Sequence, residues 1–111
     1  VNLASVRDLS QTLNTDLDPL RFRANVYFKG LEAWHELHWV GQILKIGSAH
    51  FEVVKRTKRC AATNVNVATA KRDQNIPKAL IKSYGHAYLG VYAQVVTGGV
   101  IHPGDEMAVI V

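Results

Sequence analysis

Residues 55–66 read KRTKRCAATNVN and contain Cys60, the single cysteine of the chain. The basic residues that precede it within this stretch are Lys55, Arg56, Lys58 and Arg59. Nearby positive charge stabilises a thiolate, which is a nucleophile, a carrier of sulfur and a ligand for soft metals. We therefore expect Cys60 to act as a nucleophile, a sulfur carrier or a metal ligand. The alternative is a buried cysteine that acts as a small hydrophobic core residue.

Strand and turn patterns flank this stretch on both sides. Residues 40–46 and 49–55 predict a β-hairpin with Gly47-Ser48 at its turn. Further strands are predicted at residues 21–28, 89–96 and 107–111. Residues 31–39 contain two tryptophans and predict an irregular cover over the core. Several short strands with only two helices indicate a mainly β fold, a barrel or a sandwich with helical additions.

Two helices are predicted. The first spans residues 1–14, where Ser5 and Asp8 resemble a capping box. Its core-facing side chains are expected to be Val6, Leu9 and Leu13. The second spans residues 77–84, with proline in its first turn and Gly85 as its C-cap. Its buried side chains are expected to be Leu80, Ile81 and Tyr84.

Length and composition are those of an ordinary globular domain. The 111 residues are 48% hydrophobic and 20% charged, so we expect residues 1–111 to form a single domain with its own core. The sequence has no signal-peptide pattern and no apolar run long enough to span a bilayer. One cysteine cannot form an internal disulfide, which favours a reducing, cytoplasmic compartment.

Polar residues outside the cysteine stretch provide further candidates. In a regular strand, Arg23 and Asn25 share one side, where an arginine fork and an amide suit a phosphate or carboxylate. A solvated strand face is the alternative. His35 and His38 have no evident third metal ligand nearby. Nucleic-acid binding by the basic stretch is not expected, because aromatic residues are not interleaved with it.

Four stretches of the chain form a recognisable pattern: RFRANVYFKGLEAW (21–34), WVGQILKIGSAHFEVVK (39–55), RCAATNVN (59–66) and LGVYAQVVTGGVIHPGDEM (89–107). They resemble the C-terminal portion of the MOSC domain, the family named for the C-terminal domain of molybdenum cofactor sulfurase. Their order and spacing agree with the family over nearly the whole chain. The resemblance implies a MOSC-type β-barrel. Because relatives have strands before their first helix, we expect this barrel to be incomplete at the N-terminus.

The resemblance also implies a site and its chemistry. The family cysteine that ligates the molybdenum of a pyranopterin cofactor matches Cys60, and the arginine and asparagine that help to hold the cofactor match Arg23 and Asn25. We expect Arg59 and Thr63, in the cysteine stretch, to contribute further cofactor contacts. The implied function is a molybdenum-cofactor oxidoreductase that reduces N-hydroxylated compounds with electrons from a donor protein.

A sulfur-carrier function is the alternative. In sulfurase-type members the cysteine has been associated with a persulfide, so Cys60 would take sulfur from a pyridoxal-phosphate-dependent desulfurase without catalysis of its own. An anion-binding module is a related reading. No membrane partner is expected.

Two local departures from the family pattern concern the site. The family sequence RFRPN is RFRAN here, with Ala24 in place of proline, and the turn after the cysteine is altered at Val67 and Ala70. We nevertheless expect Cys60 to lie at the rim of a cleft, facing Arg23 and Asn25.

Overall fold

Four antiparallel strands form a single sheet in the computed structural model, which describes residues 1–110. The strands are β1 (Ile43–Ile46), β2 (Ala49–Lys58), β3 (Tyr88–Thr97) and β4 (Met107–Val109). Two α-helices, α1 (Leu3–Leu13) and α2 (Ile76–Tyr84), accompany three short 3-10 helices. The 3-10 helices span Pro19–Phe22, His35–His38 and Ala61–Asn64.

The predicted hairpin is confirmed and is the centre of the sheet. Ile46 pairs with Ala49 across the turn, where Gly47 has a φ of +55° that an L-residue with a side chain rarely adopts. β2 continues beyond the predicted end at residue 55, and its last residues lead directly into Arg59 and Cys60. The long β2–β3 ladder, with register irregularities at three places, therefore sets the position of the cysteine.

The predicted barrel is not observed in residues 1–110. The strand order is β3-β2-β1-β4, so β3 and β4 lie at opposite edges of the sheet and do not pair with each other. Closure of a sheet into a barrel requires its edge strands to pair, directly or through further strands. The described fold is therefore an open antiparallel sheet with two helices.

Helix α1 begins differently from the prediction. Asn2 is its N-cap, and the Asn2 side chain accepts a hydrogen bond from the Ala4 amide at 3.0 Å. Ser5 is buried inside the helix, and its hydroxyl donates to Oε1 of Glu36 at 2.9 Å. The predicted Ser5–Asp8 capping box is therefore wrong, because Ser5 satisfies a buried carboxylate instead.

The two helices and the 3-10 helix at Pro19–Phe22 share one hydrophobic core. Its buried residues are Val6, Leu9, Leu17, Phe22, Ile76, Leu80 and Leu89. The prediction for α2 is correct for Leu80 but wrong for Ile81, which is 57% exposed. Ile76, in the first turn, contributes to the core instead, and Gly85 is the C-cap with a φ of +76°, as predicted.

A second core cluster lies against the sheet. Its buried members are Trp39, Leu44 and Val53, and the ring of Phe28 stacks on Trp39 with 5.3 Å between centroids. Trp39 is 2% exposed, while Trp34 packs on the helical core, so residues 31–39 cover the core as predicted.

Residues 21–28 do not form the predicted strand. Asp18 caps a 3-10 helix at Pro19–Phe22, Arg23 has a left-handed backbone with φ +52°, and only Phe28 makes a β-bridge, with Asn2. Proline in the first turn and the Asp18 side chain on the Leu20 amide favour this turn over extension. The final strand ends at Val109, and Val111 lies outside the described residues.

No helix within residues 1–110 combines the length and the apolar character that crossing a bilayer requires.

Candidate functional site

A cleft of about 450 Å³ lies between the sheet and the segments at residues 21–26 and 57–63. All five residues predicted for the site line it: Arg23, Asn25, Arg59, Cys60 and Thr63. Arg21 lines the cleft as well. Apolar side chains from the sheet, including Leu44, Phe51, Val91 and Met107, form its floor. The fold thus brings a thiol, an amide and three guanidinium groups together beside an apolar surface.

Cys60 has an exposed side chain at the end of β2. It is the N-cap of the 3-10 helix Ala61–Asn64, and its carbonyl oxygen accepts hydrogen bonds from the Thr63 amide at 3.1 Å and the Thr63 hydroxyl at 2.8 Å. These bonds fix the backbone of the cysteine and leave its thiol accessible. The alternative of a buried hydrophobic cysteine does not describe this structure.

Arg59 connects the cysteine to two other elements. Its Nε donates to the carbonyl of Leu89 at 2.8 Å, and its Nη1 donates to the carbonyl of Phe22 at 2.9 Å. The pKa of Arg59 lies below its ordinary value because the side chain is buried, and the charges of Tyr92, Tyr27 and Cys60 only partly oppose this lowering. Because its donors satisfy backbone carbonyls, Arg59 holds the cleft walls together and presents positive charge beside the thiol.

Arg21 is a buried residue in the lining of the cleft. Its Nη1 donates to the Thr63 carbonyl at 3.1 Å, and the guanidinium also bonds the carboxylate of Asp73, with its Nη2 3.2 Å from Oδ1. Hydrogen bonds from Asn66 and Arg21 hold the pKa of Asp73 below its usual range. The Nε of Arg21 has no partner among the described residues. Arg21 therefore anchors the cysteine loop and keeps one buried donor free.

Arg23 and Asn25 are exposed, and neither side chain makes a hydrogen bond to another residue in 1–110. They reach the cleft from a left-handed turn, not from the predicted strand. The Ala24 amide donates to the Tyr27 hydroxyl at 3.1 Å. The proline that the resemblance implies at this position has no amide hydrogen and would lose this bond.

A family profile, the MOSC domain, matches residues 1–108. The chain belongs to the MOSC domain family. It is 31% identical over 96 residues to molybdenum cofactor sulfurase of Homo sapiens, covering 75% of this chain and 10% of that protein. It is 30% identical over 112 residues to mitochondrial amidoxime-reducing component 1 of Danio rerio, covering 94% of this chain and 34% of that protein.

The fold of this MOSC domain is similar to that of a solved structure. The crystal structure of YiiM from Geobacillus stearothermophilus matches 98% of this chain with a TM-score of 0.74 and 21% identity. The match covers 51% of the YiiM chain. By length, this MOSC domain spans about a tenth of molybdenum cofactor sulfurase and about a third of the amidoxime-reducing component.

Two of the four cations in the cysteine stretch do not line the cleft of this MOSC domain. Arg56 donates from Nε to the carbonyl of Leu37 at 2.8 Å, and Lys55 lies over the ring of Tyr92 with 5.2 Å from Nζ to the centroid. The sequence placed four basic residues before Cys60, but only Lys58 and Arg59 line the cleft with it. Lys55 and Arg56 contact Tyr92 and Leu37 instead.

The remaining sequence-predicted groups lie apart from the cleft. His35 and His38 are exposed on the 3-10 helix His35–His38, with 6.5 Å between ring centroids. Within residues 1–110, no three histidine, cysteine, aspartate or glutamate side chains are placed to hold a metal ion. A metal at Cys60 would thus need further ligands from outside these residues.

Proposed function

We propose that this MOSC domain binds molybdenum cofactor in the cleft, with the Cys60 thiolate as the protein ligand of the metal. The observation that carries the proposal is the convergence of an exposed thiol with two polar side chains that have no hydrogen-bond partner among residues 1–110, Arg23 and Asn25. The relatives named for molybdenum cofactor and for amidoxime reduction support the same ligand.

The chemistry of the residues fits a pterin that carries phosphate and a thiolate-ligated metal. A thiolate is a soft ligand suited to such centres. The fork of Arg23 suits a phosphate, and the amide of Asn25 offers donors and an acceptor to the polar edge of a ring system. The unpartnered Nε of the buried Arg21 is a donor that a bound acceptor or a water would satisfy.

Each residue then has a defined role. Cys60 would bind the metal, Arg23 and Asn25 would orient the pterin and its phosphate, and Arg59 would add positive charge while holding the loops. The hydroxyl of Thr63 is engaged by the Cys60 carbonyl, so its contribution would be to hold the cysteine backbone in place. When bound, the cofactor would supply the oxidation–reduction chemistry. By analogy with the amidoxime-reducing relative, the substrates would be N-hydroxylated compounds and a donor protein would supply electrons.

Molybdenum content tests this proposal directly. Protein produced in a cofactor-competent host is purified by size exclusion, and molybdenum per folded chain is measured by elemental analysis. We expect near-stoichiometric metal in the wild type and loss of it in Cys60→Ser. Arg23→Ala should lower the metal content severalfold, whereas Arg7→Ala, an exposed arginine on α1, should leave it unchanged. Background metal in folded wild-type protein would contradict the proposal.

Sulfur transfer is the second candidate, favoured by the exposed thiol with Lys58 and Arg59 beside it. The Cys60 thiolate would attack the outer sulfur of a desulfurase persulfide, forming a new S–S bond at Cys60 and releasing the desulfurase cysteine as a thiolate. No other redox partner is needed for this exchange.

Mass spectrometry distinguishes the two candidates. After incubation with a pyridoxal-phosphate-dependent desulfurase and free cysteine, a carrier gains the mass of one sulfur atom, and a thiol reductant removes it. Cys60→Ser should show no gain. A wild-type protein that remains unmodified while the desulfurase turns over would reject the carrier function.

A further inference from the structure

A second shallow depression, of about 480 Å³, adjoins the cleft, and its lining joins β2 and β3 to Val40. We call it the tyrosine–cation face, and it consists of Val40, Val54, Lys55, Arg56, Lys58, Tyr88 and Tyr92. The two tyrosines are far from the basic stretch in sequence, but strand pairing places Tyr92 opposite Lys55 and Tyr88 opposite Lys58. The sheet therefore adds the aromatic residues that the basic stretch itself lacks.

No carboxylate among residues 1–110 forms an ion pair with the cations of this face. The one ion pair made by an arginine or lysine among residues 1–110 is Arg21–Asp73, and it does not involve this face. Glu52 is the one acidic residue on β2 and β3, and it pairs with Gln94 farther along the ladder. Three exposed cations within four residues thus create a local positive potential that would attract negative charge.

The tyrosine rings are arranged for a protein partner more than for stacked bases. Lys55 covers the ring of Tyr92 at 5.2 Å, and Arg56 lies 5.9 Å from the centroid of Tyr88. His86 packs near the same Tyr88 ring, with 5.6 Å between centroids. Base stacking requires an open ring face, and these contacts occupy part of each ring.

Aliphatic side chains complete the face. Val40 is 48% exposed and Val54 is 42% exposed, both within the depression. Tyrosine and arginine are enriched in protein interfaces, where an apolar centre is bordered by polar contacts. Phosphate backbones offer nothing to an exposed valine, whereas a protein surface offers apolar side chains.

We propose that the tyrosine–cation face docks an acidic protein surface in which carboxylates border an aliphatic side chain. Lys58 and Tyr92 line both this face and the cleft, so a partner bound here would lie next to Cys60. Only the role of the partner rests on the proposed function: the partner would deliver electrons or sulfur to Cys60. Binding itself does not require an active site.

Nuclear magnetic resonance titration tests the binding. The isotope-labelled chain is titrated with a peptide of glutamates and two leucines, an all-glutamate peptide of equal charge, and an oligothymidylate of equal charge. We expect the leucine-containing peptide to bind most tightly and to shift amides of β2 and β3. Affinity should fall about tenfold or more in K55E/R56E/K58E, which corresponds to about 1.4 kcal/mol, and also as salt rises.

Matched variants make the result specific. K29E/K78E/K82E changes the net charge by the same amount at exposed positions elsewhere, and it should bind about as well as the wild type. Should the triple face variant not fold, Val54→Ser and Arg56→Gln, measured singly, should each weaken the leucine-containing peptide. Cys60→Ser should bind normally, which separates this proposal from the proposed function.

Three outcomes would overturn the proposal. Equal losses in the two triple variants would show general charge attraction, and equal binding of the two peptides would remove the aliphatic contact. Tighter binding of the oligothymidylate, lost in the face variant, would assign the face to single-stranded nucleic acid instead.

Discussion

Single side chains near Cys60 divide into those that hold the loops and those that remain free. Arg21 donates a hydrogen bond to the carbonyl of Thr63, and Arg59 donates to the carbonyls of Leu89 and Phe22. Arg23 and the Cys60 thiol make no such contacts, and both are exposed. This division is expected of a binding site, because its ligand-contacting groups must be oriented by neighbours and still be available.

Removal of the cysteine side chain should affect chemistry and not folding. Because the thiol is exposed, Cys60→Ala leaves no cavity and should change the free energy of unfolding by less than about 0.5 kcal/mol. The native wild type should react with iodoacetamide at neutral pH without denaturant. Urea unfolding and alkylation followed by mass spectrometry measure these two effects. A thiol that reacts only after unfolding would place Cys60 in the core.

Asp73 should make the stability of the protein depend on acid. Hydrogen bonds from Asn66 and Arg21 lower its pKa in the folded state, so its contribution is complete above the unfolded value of about 3.9. That contribution is lost as pH falls through the lower, folded value. Urea midpoints at pH 7, 5 and 3 should fall more steeply below pH 4 in the wild type than in Asp73→Asn. Equal slopes would show that the pair does not contribute.

The helices are joined to each other by polar contacts as well as by their core. The Tyr84 hydroxyl on α2 donates to Oδ2 of Asp8 on α1 at 2.6 Å, and the Trp34 indole donates to the same carboxylate oxygen at 2.9 Å. The Trp34 and Tyr84 rings also pack with 4.4 Å between centroids. These contacts tie the covering segment to both helices.

Tyr84 should ionise at a higher pH than an ordinary tyrosine, because its pKa is raised. Burial, with the hydrogen bond to Asp8, raises its pKa to about 12. Its contribution to stability is therefore present below the ordinary value of about 10 and is lost as pH rises towards 12. Absorbance titration should show a tyrosinate component near pH 12 that disappears in Tyr84→Phe. Asp8→Asn should move that component to lower pH, and an unmoved component would contradict the role of Asp8.

In the molecule as a whole, the sheet is open, and its two edge strands carry exposed apolar side chains. Val95 is 61% exposed and Val96 is 56% exposed on edge strand β3, and Val109 on the opposite edge is 42% exposed. Unpaired edge strands with apolar side chains favour association with other chains. The same openness exposes the apolar floor of the cleft.

A charge on this edge should reduce self-association. Val96→Lys removes an exposed apolar side chain and adds a charge that opposes edge pairing. Light scattering at increasing protein concentration should show less association than in the wild type. Gln94→Lys adds the same charge at an exposed polar position of β3 and should have a smaller effect. Equal effects of both variants would attribute the change to net charge alone.

The sequence by itself determined several local features of this protein and its family. The hairpin at Gly47-Ser48, the C-cap at Gly85 and membership of the MOSC domain family depend on residue types and their order along the chain, and each was predictable. Glycine is chosen by backbone conformation, and a motif is read directly from residue order, so neither requires knowledge of distant contacts.

Only the tertiary structure decided which side chains meet. Arg21 pairs with Asp73, 52 positions away in the sequence. Ser5 was predicted to cap a helix, but its hydroxyl donates to the carboxylate of Glu36. Tyr88 and Tyr92 lie beside the basic stretch because their strands pair. Periodicity also wrongly placed Ile81 in the core. Burial and side-chain partnership are set by what packs opposite a residue, and that partner comes from elsewhere in the chain.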